Sequence, residues 1–216
     1  LETAPEPVTT VFTIGLGEPE AMGRAAAENR HRTVLKLKLG RPEGDVERVE
    51  AVRRAAPEAR LSVDANTGWT RAQLVDYLPR LRDLGVELVE QPFPPGEDAQ
   101  MEGVERAIPV AADESCTDRA SLGALTGRYD MVNIKLDKAG GLTEALALAD
   151  AARERGLGIM VGCNLGTSLA MAPAMLVAQG AALVDLDGPL LLAQDRAPGL
   201  VYEDSLVYPP EPGLWG

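Results

Sequence analysis

The chain has 216 residues, 45% apolar and 25% charged, the usage of an ordinary globular protein with room for one large domain or two small ones. Lys and Arg total 21 against 33 Asp and Glu, and a formal charge of -12 argues against nucleic acid and anionic membrane as partners. No apolar run approaches the ~18 residues of a membrane span, no signal-peptide pattern opens the chain, and Cys116 and Cys163 lack zinc-type spacing, so a cytoplasmic protein is expected. The only histidine, His31, lies in the charged stretch from Asn29 to Arg32, which leaves histidine triads without material.

Leu1 to Pro7 is a proline-containing lead-in without an initiator Met, so residues 1–8 are expected to lead in from a preceding segment. Thr9 to Leu16 reads as a strand, Glu18 to Arg30 as a helix, and Thr33 to Leu39 as a second strand closed by Gly40, Pro42 and Gly44. Helix Asp45 to Ala56 precedes strand Leu61 to Asn66; Thr70 is placed as N-cap of helix Arg71 to Leu84, which stops at Gly85. Strand Val86 to Glu90, helix Asp98 to Ala107, strand Ile108 to Asp113, helix Asp118 to Leu125 and strand Met131 to Lys135 follow. Thr143 is placed as the cap of helix Glu144 to Arg155, before strand Leu157 to Cys163, helix Ser168 to Gln179 and strand Ala182 to Asp187. Eight strands alternating with seven helices predict an α/β fold, a (β/α)8-type barrel modified to (β/α)7β over residues 9–188. Residues 189–216 are rich in Pro and Gly and lack a helical period, so an irregular tail is expected in place of an eighth helix.

Functional groups of such a barrel gather where strands run into their following loops. Asp64, Glu90 and Asp113 close the third, fourth and fifth predicted strands. Three carboxylates at one rim repel each other and raise their pKa values unless a hard divalent ion intervenes, and Mg²⁺ is the natural candidate. Lys36 and Lys38, two residues apart on the second strand, point the same way, and Lys135 on the sixth strand faces them across the mouth. Like-charge repulsion among the lysines and from the metal is expected to lower the lysine pKa values, leaving one lysine neutral as a base. Opposed bases imply removal and return of a proton from a carbon acid, with the developing charge stabilised electrostatically.

Lys-x-Lys, Asp, Glu, Asp and Lys at the ends of strands two to six resemble the enolase superfamily, muconate-lactonizing subgroup, over essentially the whole chain. The resemblance implies metal ligands at Asp64, Glu90 and Asp113, acid/base catalysts at Lys38 and Lys135, and substrate-carboxylate orientation by Lys36. Asp185-Leu186-Asp187 on strand eight resembles the dipeptide epimerases, whose acid pair binds the substrate's free α-ammonium. Two residues apart on a strand, these acids can share one cation. Asn164, in the loop from Gly162 to Ser168, is a further substrate-binding candidate, at a helix N-terminus suited to an anionic group or at a plain tight turn.

The implied activity is Mg²⁺-dependent epimerisation of dipeptides by two-base 1,1-proton transfer through an enediolate. An N-acylamino acid racemase or a cycloisomerase on the same scaffold, and an inactive barrel fragment, are the alternatives. Members of the family carry a capping domain over the barrel mouth; it is expected to be absent from this chain and to contact the mouth where present. The Leu214–Gly216 end is a candidate for packing against it. A homo-oligomer is compatible with the sequence.

Overall fold

The computed structural model describes residues 4–215; Leu1 to Thr3 of the expected lead-in, and Gly216, lie outside the described residues. The first half runs β1 (Val8–Thr9), β2 (Phe12–Ile14), α1 (Pro19–Glu28), β3 (Val34–Lys38), α2 (Asp45–Ala55), β4 (Arg60–Asp64), α3 (Arg71–Asp83), β5 (Val86–Glu90) and a 3-10 turn, Asp98–Met101. The second half runs β6 (Val110–Ala112), α4 (Leu122–Leu125), β7 (Met131–Ile134), α5 (Leu136–Ala139), α6 (Leu142–Arg153), β8 (Gly158–Val161), α7 (Ser168–Ala178) and β9 (Leu183–Val184). A 3-10 turn, Gly188–Leu191, and the strands β10 (Tyr202–Glu203) and β11 (Leu206–Val207) complete the chain.

Strands β2 to β9 form one parallel sheet in sequence order. Its edges meet where Thr10 pairs with Val184 and Val11 N–H donates to Val184 O at 2.9 Å, so the sheet curls into the expected barrel. Helices on the outside bury apolar stripes against the strands. Helix α3 shows how the sequence specifies one. Thr70 caps it in a reciprocal capping box with Gln73, and Leu74, Tyr77, Leu78 and Leu81 recur at helical spacing on its buried face. Each fully buried leucine there stabilises the fold by about 2–3 kcal/mol.

Several elements depart from the expected ones. The first expected strand is split, because β1 leaves the barrel to pair with β11. The tail is accordingly not irregular throughout: β10 and β11 form a hairpin that joins β1 in a three-stranded antiparallel sheet. The expected helix from Asp98 to Ala107 is a single 3-10 turn, since Gly103 sits at φ +69° and the Asp98 carboxylate turns inward to Ser115 and Tyr129. The expected helix from Asp118 shrinks to Leu122–Leu125, as the Asp118 side chain accepts from Ser121 N–H in a local turn. Helix α6 starts at Leu142 after Gly140 and Gly141, so Thr143 lies inside it rather than capping it.

Candidate active site

Parallel register sets the level of the functional groups. Lys38 lies beside Asp64, and Asp64 beside Glu90, across β3, β4 and β5. Asp113 and Lys135 follow β6 and β7 by one residue. Donor oxygens of Asp64, Glu90 and Asp113 all lie within 4.8 Å of one another, and all three residues are buried. The lysines interleave with them. Lys38 Nζ is 2.7 Å from Asp64 Oδ2, and Lys135 Nζ is 2.7 Å from Asp113 Oδ2. Lys36, 1% exposed, reaches Glu90 Oε2 and Asp185 Oδ2 at 2.7 Å and Asp64 Oδ2 at 3.3 Å.

Electrostatics follow from this packing. Burial and repulsion from Asp64, Asp113 and Asp185 outweigh Lys36 and push the Glu90 carboxyl up to about 8. Burial also opposes charge on Asp64 and Asp113, yet Lys36 and Lys38 hold the first below the usual carboxylate range, and Lys138 and Lys135 the second. The lysines depart from the sequence expectation. Burial does disfavour the Lys36 and Lys135 ammonium groups, but Asp185, Glu90 and Asp64 around Lys36, and Asp113 beside Lys135, hold both above their ordinary value rather than below it. Like-charge repulsion loses because each of these two ammonium groups has a carboxylate oxygen at 2.7 Å.

Asp185 and Asp187 come together with Cys163, their ligand atoms within 4.8 Å. Thr13 N–H donates to Asp187 Oδ2 at 2.6 Å, and burial together with Asp185 raises the Asp187 carboxyl to about 7. A cavity of about 320 Å³ joins the two clusters; Lys38, Asp113, Lys135, Asp185 and Asp187 line it. Asn164 also lines it, and its amide donates to Asp137 Oδ2 at 3.4 Å. Lys36 lies beneath, among the carboxylates.

Three further residues went unassigned in the sequence. Lys138 Nζ lies 2.5 Å from Asp113 Oδ1, meets the Asp113 carbonyl oxygen, and donates to Asn133 O at 3.1 Å. Asn133, two residues before Lys135 on the same strand face, donates to Glu90 Oε1 at 2.8 Å; the strand period carried that signal. Gln91 holds the backbone of Asp113. Trp69 is a packed loop aromatic: it is buried, and its indole N–H donates to Asp45 Oδ2 at 2.7 Å. Gly40 and Gly68 let the loops after β3 and β4 touch, since a Cβ on Gly68 would stand 2.3 Å from Gly40 O.

The cluster fits a divalent cation. Three carboxylate oxygens are hard, anionic donors of the kind Mg²⁺ takes. Burial first, and then the neighbouring Asp64, Asp113 and Asp185, push the Glu90 carboxyl up.

A family model described as enolase C-terminal domain-like matches residues 20–214. An L-Ala-D/L-Glu epimerase from Escherichia coli (strain K12) is 46% identical over 202 residues, 93% of this chain and 63% of that protein. An N-acetyl-D-glutamate racemase from a Pseudoalteromonas species is 44% identical over 204 residues, 94% of this chain and 64% of that protein. This chain thus spans under two thirds of either relative. Among solved structures, an enolase family member from Agrobacterium tumefaciens with homology to dipeptide epimerases, with sodium and L-Ala-L-Glu bound, superposes with a TM-score of 0.97 at 52% identity, covering 100% of this chain and 66% of that one. A dipeptide epimerase from Cytophaga hutchinsonii, complexed with Mg and D-Ala-L-Val, gives a TM-score of 0.88 at 28% identity, over 95% of this chain and 59% of that one. The family model spans most of the chain and both curated relatives are more than 40% identical to it: this chain belongs to the enolase C-terminal domain-like family.

Proposed function

We propose that this chain carries the reaction centre of a Mg²⁺-dependent dipeptide epimerase acting by two-base 1,1-proton transfer. The observation that carries the reading is one cavity holding Lys38 and Lys135 beside the Asp64, Glu90 and Asp113 cluster, with Asp185 and Asp187 on its wall. Asp64, Glu90 and Asp113 are the proposed metal ligands. Bound there, Mg²⁺ supplies electrostatic stabilisation of the negative charge that the substrate carboxylate gains as its α-proton leaves.

The chain's own residues do the rest. Lys38 Nζ takes the α-proton on one face and Lys135 Nζ delivers a proton to the other; in the reverse direction the roles exchange. Lys36 supplies a fixed positive charge beneath the site, on the side where the substrate carboxylate is placed. Asp185 and Asp187 receive the α-ammonium of the dipeptide, and Asn164 contacts substrate from the loop after β8. Leu16, Leu165 and Leu191, exposed on the segments that follow β2, β8 and β9, fit a further domain seated on the barrel mouth. Free Cys116 and Cys163 fit a reducing compartment such as the cytoplasm.

A second reading, racemisation of N-acyl amino acids, draws on the N-acetyl-D-glutamate racemase relative and on Asp185 being already paired with Lys36. Proton NMR in D₂O with Mg²⁺ separates the two. Loss of the Glu α-proton signal from L-Ala-L-Glu, faster than from N-acetylglutamate, supports the dipeptide reading. The reverse preference favours the acyl substrate. Exchange from neither, also in a preparation extended to the relatives' full length, overturns both.

A further inference from the structure

We infer that Gln91 is a positioning residue that sets the spacing of the Asp64, Glu90 and Asp113 carboxylates; the inference rests on the reading that these three hold a divalent cation. Gln91 directly follows Glu90, is fully buried, and adopts φ +34°, a left-handed conformation that is costly for a non-glycine residue and is disfavoured further by the Pro92 that follows. Such a conformation persists only where its surroundings over-determine it. Here they do so at every polar atom.

The backbone of Gln91 connects to both neighbouring strand ends. Its N–H donates to Ala111 O at 2.9 Å, and its carbonyl accepts from Thr67 N–H, in the loop that follows Asp64, at 2.8 Å. Its side chain reaches the backbone of Asp113, the residue that bears the third carboxylate. Oε1 accepts from Asp113 N–H at 2.7 Å and from Ser115 N–H at 3.1 Å. Nε2 donates to Phe93 O at 2.7 Å and to Ser115 Oγ at 2.9 Å. One residue therefore bonds to the segments leaving β4 and β6 while being covalently joined to Glu90. An outer brace steadies it: Ser115 Oγ and Tyr129 OH both donate to Asp98 Oδ1 at 2.7 Å.

A purely structural role and a positioning role differ in what they do to metal affinity. Groups that orient metal ligands typically change affinity about 10–100-fold when removed, whereas a loop clamp away from the ligands lowers stability and leaves affinity alone. The test is Mn²⁺ binding, read by calorimetry and by the EPR signal of the free ion, on the full 216-residue chain. Thermal unfolding in EDTA is followed in parallel. In Gln91→Met, which keeps volume and loses all four side-chain hydrogen bonds, the Mn²⁺ Kd is expected to rise about 10–100-fold while the fold is retained.

Folded Gln91→Met that binds Mn²⁺ as the wild type does overturns the inference. Should Gln91→Met not fold, Ser115→Ala decides, since it removes the hydroxyl that accepts from Nε2 and ties Gln91 to the Asp98 brace. A weaker Mn²⁺ affinity there supports the positioning role, and an unchanged one overturns it. A wild-type chain that binds no Mn²⁺ at all is a different result: it removes the metal reading itself.

Discussion

Lys36 Nζ and Asp185 Oδ2 stand 2.7 Å apart in the barrel interior although 149 residues separate them in the chain. The same ammonium is 2.7 Å from Glu90 Oε2, so one buried lysine joins the proposed metal cluster to the proposed ammonium pair. Removing one partner of a buried charge group leaves the other uncompensated, at about 3–5 kcal/mol. Lys36→Met is therefore expected to lose about that much stability in urea unfolding with EDTA, with part of the loss recovered when Mg²⁺ is added. The Lys36 pKa is raised, so its charge contribution is complete below the unfolded value of 10.5 and is lost only as pH climbs through the higher folded value; Lys36 itself does not titrate across the neutral range.

Asp187 behaves in the opposite sense. Its carboxyl, raised first by burial and then by Asp185, titrates at about 7 against an ordinary 3.8. The folded state keeps a proton that the unfolded chain has already released, so stability falls as pH rises from 3.8 to about 7 and levels off above it. Asp187→Asn keeps an acceptor for Thr13 N–H and removes the titration. Its melting temperature should therefore depend less on pH across that window, and its advantage over the wild type should be greatest on the alkaline side. An unchanged pH profile would count against the raised pKa.

Opposed lysines carry the proposed proton transfer. Lys38→Ala and Lys135→Ala are each expected to lower epimerisation of L-Ala-L-Glu by about 10²–10⁴-fold, the usual contribution of a positioned general acid or base. Deuterium incorporation should separate them by substrate hand, because each variant keeps the base that serves one face. Loss of exchange from both hands in only one variant would point to a single base.

The tail closes α7 from a distance. Asp195 Oδ1 accepts from Ser168 N–H at 3.0 Å, its other oxygen accepts from the Ser168 hydroxyl, and Ser168 Oγ accepts from Leu200 N–H at 2.8 Å. Thr167, the residue at the cap position, makes no side-chain cap bond. Asp195→Ala should lower thermal stability by about 1 kcal/mol, the typical loss of a helix cap, and increase proteolysis between Leu191 and Leu200.

Much of the site was legible because strand side chains alternate with a fixed period and a barrel gathers strand ends. Those two rules place Lys36, Lys38, Asp64, Glu90, Asp113 and Lys135 together from their positions in the chain alone. Thr70 was legible as a cap because its partner Gln73 is three residues away. Helix Asp98 to Ala107 was not, because its first residue is drawn inward by Tyr129, a hydrogen bond spanning 31 residues.

Local periodicity and side-chain type set the repeating strand and helix pattern, the acids and lysines at strand ends, and the class of chemistry they allow. Closure of the barrel selects which charges touch. It paired Lys36 with Asp185, gave Lys138 to Asp113, hung Asp113 on Gln91, and joined the sheet edges through Thr10 and Val184. Hydrogen bonds and ion pairs act over about 3 Å, and contacts so short between residues far apart in the chain exist only once the whole barrel has closed around them.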